Sequence, residues 1–371
     1  MEDLVMFRNA YAGRKVLVTG HTGFKGSWMS EWLLELGAEV AGFSLAPNTT
    51  PNHFDLLGLY SRMKHIEGDV RDGAALTRAV ADFQPEIVFH LAAQPLVRLS
   101  YAEPAMTWET NVMGTVNLLE AVRKTASVKA CVVVTSDKCY ENREWPWGYR
   151  ETEAMGGHDP YSASKGATEL VVASYRRSYF KDPAGCRLAS GRAGNVIGGG
   201  DWSADRIVTD FVKAILSDKP LALRNPKATR PWQHVLEPLS GYLDLGSRLL
   251  ESQGSSLADG WNFGPSEDSV VLVQELARML VGAWKRGQVV VDTSGNHPHE
   301  AGLLKLDCSK ARQELGWHGV WGVEETVRRV VAWYKEHSEG GDMTARTREQ
   351  IKSYSEDARR QNLPWATEEK A

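Results

Sequence analysis

Short apolar runs alternate with longer amphipathic stretches over the first half of the chain. The apolar runs cover residues 15–19, 39–43, 64–67, 86–92, 129–136 and 187–192. The amphipathic stretches, with apolar residues at helical spacing, cover residues 26–37, 73–83, 107–125 and 160–180. Near-continuous apolar strands between helices are typical of a parallel sheet that helices cover on both faces. The pattern therefore predicts a doubly wound α/β domain.

The alternation becomes irregular after about residue 192, where segments rich in glycine and proline follow one another. We interpret this part as a smaller α+β substrate-binding domain above the carboxyl ends of the strands. The predicted boundaries assign 1–194 and about 230–260 to the sheet domain, and 195–229 and 261–337 to the smaller one. Residues 338–371 are highly charged with few apolar positions, which is typical of a solvated helix or a partly disordered extension.

The composition excludes several classes of function. The 371 residues are 42% apolar and 24% charged, with a formal charge of −4, and the dispersed Lys and Arg argue against binding to nucleic acid or membrane. The first residues are acidic with only a brief apolar stretch, so we expect neither signal peptide nor anchor. The cysteines form no CxxC pair, which argues against disulfides and zinc and favours a reducing cytoplasm. They are Cys131, Cys139, Cys186 and Cys308.

A glycine-rich turn joins the first predicted strand to the first predicted helix. Residues 19–26 read Thr-Gly-His-Thr-Gly-Phe-Lys-Gly. Three spaced glycines let the backbone turn tightly and approach a pyrophosphate, and the helix N-terminus offers free N–H groups to it. This Rossmann-type turn predicts a dinucleotide site. We expect the cofactor to contact Gly20, Thr22, Gly23, Phe24, Lys25 and Gly26.

The end of the second strand reads Gly42-Phe43-Ser44. An acidic residue that binds the ribose hydroxyls of NAD is usual at this place, and an arginine is usual for NADP. Neither is present in that tripeptide, and the lack of a nearby arginine favours NAD while NADP remains open. Asp69, after the third strand, is placed to meet the adenine, although an Asp that caps a turn or helix is equally consistent with its position.

Tyr161 and Lys165 stand four residues apart just inside a predicted helix, so both side chains lie on one face. A tyrosine, with an ordinary pKa near 10, needs a fall of about 3 units to act as a base at neutral pH. A neighbouring ammonium and a positive nicotinamide ring together provide such a shift. Thr135-Ser136-Asp137-Lys138 follows the fifth strand, at the edge where open α/β sheets bind their ligands.

The TGxxGxxG turn, the Ser136 position and the YxxxK pair together resemble the extended short-chain dehydrogenase/reductase family. In its nucleotide-sugar 4,6-dehydratases an acidic pair usually follows the Ser or Thr, and this chain departs from that pattern with Asp137-Lys138. The run Ser-Asp-Lys-Cys-Tyr from 136 resembles the CDP-glucose 4,6-dehydratase branch. Segments 90–98, 192–202 and 230–235 strengthen the resemblance, which extends from residue 13 to about 333.

The resemblance implies a reaction in three steps on CDP-glucose. Tyr161 removes the proton of the sugar 4-hydroxyl, with Ser136 hydrogen-bonded to that oxygen and Lys165 as its partner, while hydride passes to the nicotinamide. Lys138 then removes the C5 proton in place of the usual Glu, a role that requires an uncharged amine. Asp137 protonates the departing 6-hydroxyl, and the hydride returns to C6, which gives CDP-4-keto-6-deoxyglucose.

The resemblance also implies further contacts around these residues. The additional cofactor contacts are Ser44, Asp69, Val70, Leu91, Ala92, Ala93 and Thr135. The substrate contacts are Gln94, Asn195, Arg206, Arg230 and His299. A solvated surface charge is an equally good interpretation of Arg206. We expect no metal, because no carboxylate or cysteine lies at ligand spacing from His297 and His299 and hydride transfer needs none.

Several alternatives remain open at this point. dTDP-glucose and GDP-mannose dehydratases share the chemistry, and a nucleotide-sugar 4-epimerase or reductase shares everything except the acid–base pair. A catalytically silent NAD-binding module is disfavoured by the intact hydride-transfer residues. The resemblance implies a homodimer or homotetramer in the cytoplasm that supplies deoxysugars for a bacterial surface polysaccharide such as O-antigen. Helices 107–125 and 160–180 either form its dimer contact or simply cover the sheet.

Overall fold

A seven-stranded sheet forms the centre of the protein. The computed structural model describes residues 6–182, 184–251, 253–292 and 302–367. Its strands are β1 (Lys15–Thr19), β2 (Glu39–Ser44), β3 (Lys64–Glu67), β4 (Ile87–His90), β5 (Ala130–Val134), β6 (Arg187–Arg192), β7 (Val196–Ile197), β8 (Leu221–Leu223), β9 (Thr229–Pro231), β10 (Gln233–His234), β11 (Gly260–Asn262), β12 (Val270–Leu272) and β13 (Val289–Val291). The large sheet has the order β11-β6-β5-β4-β1-β2-β3, and all its pairs are parallel. The predicted doubly wound parallel sheet is confirmed.

Helices cover both faces of this sheet. They are α1 (Phe24–Glu35), α2 (His53–Leu56), α3 (Gly73–Phe83), α4 (Val97–Ala102), α5 (Pro104–Trp108), α6 (Gly114–Arg123), α7 (Pro160–Ser178), α8 (Ile207–Leu216), α9 (Leu236–Leu249), α10 (Val273–Trp284), α11 (Val323–Ser338) and α12 (Met343–Arg360). Apolar side chains of α3, α6 and α7 form one core under the sheet, and those of α1, α9, α11 and α12 form the other. None of the described helices is both long and apolar enough to cross a membrane.

The described residues after β6 form three small two-stranded sheets. They pair β7 with β10, β9 with β12, and β8 with β13. Helices α8 and α10 contact this region, and α9 returns to pack on β5 and β6. This arrangement has the mixed α+β character that we expected of the substrate-binding part. The exact domain boundaries stay a prediction.

The end of the chain differs from the expectation. Instead of a solvated or disordered extension, residues 343–367 form α12 and a following turn that pack on the sheet domain. Trp365 is fully buried and stacks on Phe7 with ring centroids 5.0 Å apart. Tyr354 is also fully buried. The high average charge obscured a few buried apolar side chains, of which Tyr354 lies on the inner face of α12 and Trp365 in the turn after it.

Candidate active site

The predicted site residues converge on one cavity at the carboxyl ends of the central strands. The cavity has a volume of about 670 Å³, and it lies where the strand order reverses between β1 and β4, as ligand sites do in open α/β sheets. His299 falls outside the described residues. The other predicted residues all line this cavity: Gly20, Thr22, Gly23, Phe24, Lys25, Gly26, Ser44, Asp69, Val70, Leu91, Ala92, Ala93, Gln94, Thr135, Ser136, Asp137, Lys138, Tyr161, Lys165, Asn195, Arg206 and Arg230.

The glycine-rich turn is built for close backbone approach. Gly20 has a φ of +74°, and a Cβ atom there would lie 2.7 Å from the backbone nitrogen of Ala92. A Cβ atom at Gly26 would lie 2.1 Å from the carbonyl oxygen of Gly20. Gly23 caps α1 without a side-chain hydrogen bond, so the first N–H groups of the helix stay available. This geometry fits a dinucleotide pyrophosphate.

Hydroxyl groups occupy the place where an acidic residue is usual. The Oγ1 of Thr22 lies 2.8 Å from the Oγ of Ser44 and donates to the carbonyl oxygen of Leu45. Beside them, Arg71 donates to Asp69 over 2.6 Å, and this hydrogen bond lowers the pKa of Asp69. Arg71, which lines the cavity with Asp69, is therefore already neutralised by a carboxylate.

The end of β5 places an acid and an amine side by side. Ser136 donates to the Oδ1 of Asp137 over 2.9 Å, and it accepts from the backbone N–H of Lys138. Asp137 is buried, and the amide nitrogen of Asn195 lies 3.4 Å from its Oδ2. A turn of 3₁₀-helix at Asp137–Cys139 keeps Lys138 at the cavity wall. Both groups of the predicted elimination step thus face the same space.

Tyr161 and Lys165 lie in the first turns of α7, as the sequence predicted. Asp159 caps this helix by accepting from the N–H of Ser162. Burial raises the pKa of Tyr161 to about 12, against a hydrogen bond from Ser136 that lowers it. Lys165 donates to the carbonyl oxygen of Val134. We expected the ammonium of Lys165 to help lower the pKa of Tyr161. The protein groups do not lower it, because burial has the larger effect and raises the pKa of Tyr161.

A third lysine, Lys25, lines the cavity beside Lys138 and Lys165. It lies in the glycine-rich turn, and burial, Arg206 and Lys165 together lower its pKa to about 7. Asp137 and Asp201 act in the opposite direction. Lys25 thus shares the cavity with the predicted acid and base, and a bound anion would favour its charged form.

The predicted substrate contacts differ in how they are held. The amide of Gln94 is bonded to its own loop, through Thr107 at 2.9 Å and the backbone of Leu96. Arg206 lies 3.4 Å from a carboxylate oxygen of Asp201. Arg230 is buried and donates to two backbone carbonyl groups. All three line the cavity. Because the amide of Gln94 is hydrogen-bonded within its own loop, it has fewer polar groups to offer a ligand than the two arginines.

Two groups of residues were missed by the sequence reasoning. Arg98 lies 3.3 Å from Asp205, and Arg224 lies 2.5 Å from the same carboxylate. All three residues line the cavity, so they form an ion-pair network along its wall. Glu169 continues the face of Tyr161 and Lys165 at four-residue spacing, and this spacing was a signal that could have found it. The first group had no comparable signal, because its members come from distant segments.

Among the described residues, no three His, Cys, Asp or Glu side chains come together as a metal site.

The family model described as GDP-mannose 4,6 dehydratase matches residues 17–330. The chain belongs to this family. It is 51% identical over 352 residues to the CDP-glucose 4,6-dehydratase of Salmonella typhimurium, which covers 94% of this chain and 98% of that protein. The predicted kinship with the CDP-glucose branch of the extended short-chain dehydrogenase/reductases is confirmed.

Solved structures show how widely this family fold is used. A dTDP-glucose 4,6-dehydratase from Streptomyces venezuelae, with NAD bound, matches with a TM-score of 0.73 and 25% identity over 88% of this chain and 98% of that one. The UDP-glucose 4-epimerase of Thermus thermophilus, in complex with NAD, matches with a TM-score of 0.72 and 26% identity over 86% and 99%. Dehydratases and epimerases therefore share the architecture, and the site chemistry must separate them.

Proposed function

We propose that the protein is a nucleotide-sugar 4,6-dehydratase that converts CDP-D-glucose to CDP-4-keto-6-deoxy-D-glucose. The observation that carries the proposal is the presence of Asp137 and Lys138 in the same cavity as Ser136, Tyr161 and Lys165. A 4-epimerase needs the last three residues and has no use for a separate acid and base. The 51% identity to the Salmonella dehydratase supports the choice of CDP-glucose.

The glycine-rich turn and α1 would hold NAD by its pyrophosphate. NAD would take a hydride from C4 of the sugar and return it to C6 within one turnover. Ser44, Thr22 and the Asp69–Arg71 pair would surround the adenosine end. Asp69 neutralises Arg71. The residues named here therefore offer no uncompensated positive charge to the 2′-phosphate of NADP, which supports NAD over NADP.

Tyr161 acts first as a base on the sugar 4-hydroxyl. Ser136 lines the same cavity and would hydrogen-bond the sugar oxygen. Since the protein groups, burial foremost, hold the pKa of Tyr161 near 12, the phenolate needs positive charge close by. Lys165 and the bound nicotinamide would supply this charge.

Asp137 and Lys138 carry out the elimination of water. The 4-ketone makes the C5 proton acidic, and Lys138 removes it. Asp137 delivers a proton to the departing 6-hydroxyl. Its carboxyl group is held at one oxygen by Ser136 and lies near Asn195 at the other, so its position is fixed before the sugar binds. The side-chain amine of Lys138, which must be uncharged to act as this base, has no such restraint among the described contacts and can swing towards C5.

The smaller part of the chain would hold the substrate diphosphate. Arg206 and Arg230 line the cavity there, and a planar guanidinium group binds phosphate oxygens in pairs. Asn195 and Gln94 would contact the sugar side. His299 remains a predicted contact, since it lies outside the described residues.

We further propose a cytoplasmic homodimer or homotetramer that serves polysaccharide biosynthesis. Helices α4, α5 and α7, with the turn after α5, expose large apolar side chains that a second copy would cover. These are Leu99, Tyr101, Trp108, Met113, Leu170 and Tyr179. Light scattering on the purified protein tests the assembly. A Leu170→Glu variant is expected to be monomeric, and an unchanged mass would place the contact elsewhere.

The function is tested by turnover of CDP-glucose, dTDP-glucose, GDP-mannose and UDP-glucose, each with NAD or NADP. The proposal predicts a product of CDP-glucose that has lost the mass of one water, with NAD preferred. Loss of water from another sugar would retain the chemistry and overturn the substrate. An isomer of unchanged mass would make the protein an epimerase.

A further inference from the structure

Glu169 is a buried residue next to the cavity whose carboxylate links neighbouring strands to α7. It lies one helical turn beyond Lys165 on α7 and is 4% exposed. Its Oε1 accepts a short hydrogen bond from Thr135 at the end of β5. Its Oε2 accepts from Ser190 over 2.7 Å and from Arg192 over 2.8 Å, and both donors lie on β6. One carboxylate thus joins the three elements that carry or flank the predicted catalytic groups.

Arg192 is itself held by a second set of contacts. It is 5% exposed, and its Nη1 donates to the hydroxyl of Tyr140 over 2.6 Å. That hydroxyl donates to Asn262 on β11 over 2.8 Å. Neither Glu169 nor Arg192 lines the cavity, so neither side chain is placed to touch substrate or cofactor. A buried ion pair is costly to desolvate and is therefore weak evidence for stability alone.

The charge of Glu169 acts on Lys165. Burial lowers the pKa of Lys165, Glu169 and Cys139 act in the opposite direction, and the resulting pKa is about 8. Burial holds the pKa of the Cys139 thiol well above its ordinary value, so that thiol is uncharged at neutral pH. The charged or titratable groups that interact with Lys165 from the packed elements are Glu169 on α7, Cys139 after β5, His90 on β4 and Lys25 on α1. Tyr161 lies one helical turn before Lys165 on the same helix. Glu169 supplies the negative charge in this set.

We propose that Glu169, held in place by Arg192, is a positioning residue that acts on the base Tyr161 through Lys165 and on the acid Asp137 through Thr135. The proposal rests on the dehydratase function proposed above. The carboxylate keeps the ammonium of Lys165 charged despite its burial, which favours the phenolate. The hydrogen bond to Thr135 fixes the strand end that carries Ser136 and Asp137.

The first test measures Lys165 directly and needs no turnover. In the full-length protein, the rate of acetylation of Lys165 by acetic anhydride is followed against pH by peptide mass spectrometry. This rate follows the uncharged fraction of the amine. In Glu169→Gln we expect the midpoint to fall by about one pH unit. Ser190→Ala is the matched control, because it removes one hydrogen bond to the same carboxylate and leaves the charge, so its midpoint should equal that of the wild type.

The second test measures kcat for CDP-glucose against pH. The alkaline limb should move to lower pH in Glu169→Gln, together with the labelling midpoint, while Glu169→Asp should restore the position of the limb. If Glu169→Gln does not fold, Glu169→Gln/Arg192→Met removes both buried charges and should still lower the midpoint. An unchanged midpoint in a folded variant without the Glu169 charge overturns the proposal. A lowered midpoint in a protein that does not dehydrate CDP-glucose supports the effect on Lys165 and refutes the dehydratase function instead.

Discussion

The substitution Gly194→Ala offers a specific test of the acid Asp137. Gly194 follows β6 and faces the carboxyl group of Asp137 from beneath. A Cβ atom there would lie 1.9 Å from Oδ2, 2.0 Å from Cγ and 2.4 Å from Oδ1, whereas ordinary contact begins at 3.4 Å. The carboxyl group must therefore move by more than about 1 Å, and a displacement of this size costs a catalytic group about 10²-fold in rate.

The expected result is a kcat about 10²- to 10³-fold lower with CDP-glucose, while the affinity for NAD is unchanged. The glycine-rich turn and Tyr161 are untouched, so the first step should proceed. The near-ultraviolet absorbance of reduced nicotinamide should therefore rise after mixing, and the dehydrated product should form slowly. Stopped-flow absorbance and product mass spectrometry measure the two steps separately.

Gly282→Ala is the matched control, since a Cβ atom at that helical position meets no atom within 4 Å. Its turnover should equal that of the wild type, and its thermal stability should be equal or slightly higher because Ala favours helix by about 1 kcal/mol. A folded Gly194→Ala protein with wild-type kcat would refute the assignment of Asp137 as the acid.

Three further predictions concern other parts of the molecule. Lys138→Ala should accumulate reduced nicotinamide without product, seen by absorbance; unchanged turnover would remove Lys138 from the mechanism. Trp365→Ala should lower the free energy of unfolding, measured in urea, by about 3–5 kcal/mol, because Trp365 is fully buried. A loss below about 1 kcal/mol would instead support a solvated C-terminal extension. Burial raises the pKa of Glu237 to about 7 from 4.5, so the folded protein binds the extra proton and its stability should fall as pH rises from about 4.5 to 7. The expected fall is about 3 kcal/mol from this group, and Glu237→Gln should flatten the slope; an equal slope in both proteins would contradict the assignment.

The parallel sheet covered by helices and the location of the site were predictable because their signals are local. Each buried strand is a short apolar run, and the glycine-rich turn, the strand end at Ser136 and the Tyr161–Lys165 pair all lie at the junctions between strands and helices. In a parallel sheet the carboxyl ends of the strands share one edge. Once the elements are assigned, these residues must therefore lie close together.

Other features depend on contacts between distant segments. The packing of Trp365 on Phe7 joins the two ends of the chain, and no window of sequence contains both. The short edge strand β11 has only three residues and takes its partner from β6. Likewise, the pKa of Tyr161 reflects its burial, which sequence spacing cannot reveal. The average composition of residues 343–367 predicted a solvated or disordered extension. This was wrong, because a few apolar side chains decide how the segment packs.

The measurement that tests the account most directly uses CDP-glucose with deuterium at C4 of the sugar. If Tyr161 starts a reaction in which NAD carries the hydride from C4 to C6, the product should retain the deuterium at C6 and have lost one water. Mass spectrometry and NMR locate the label. Deuterium lost to solvent, or retained at C4 in an isomer of unchanged mass, would contradict the proposed reaction and leave Asp137 and Lys138 without a role.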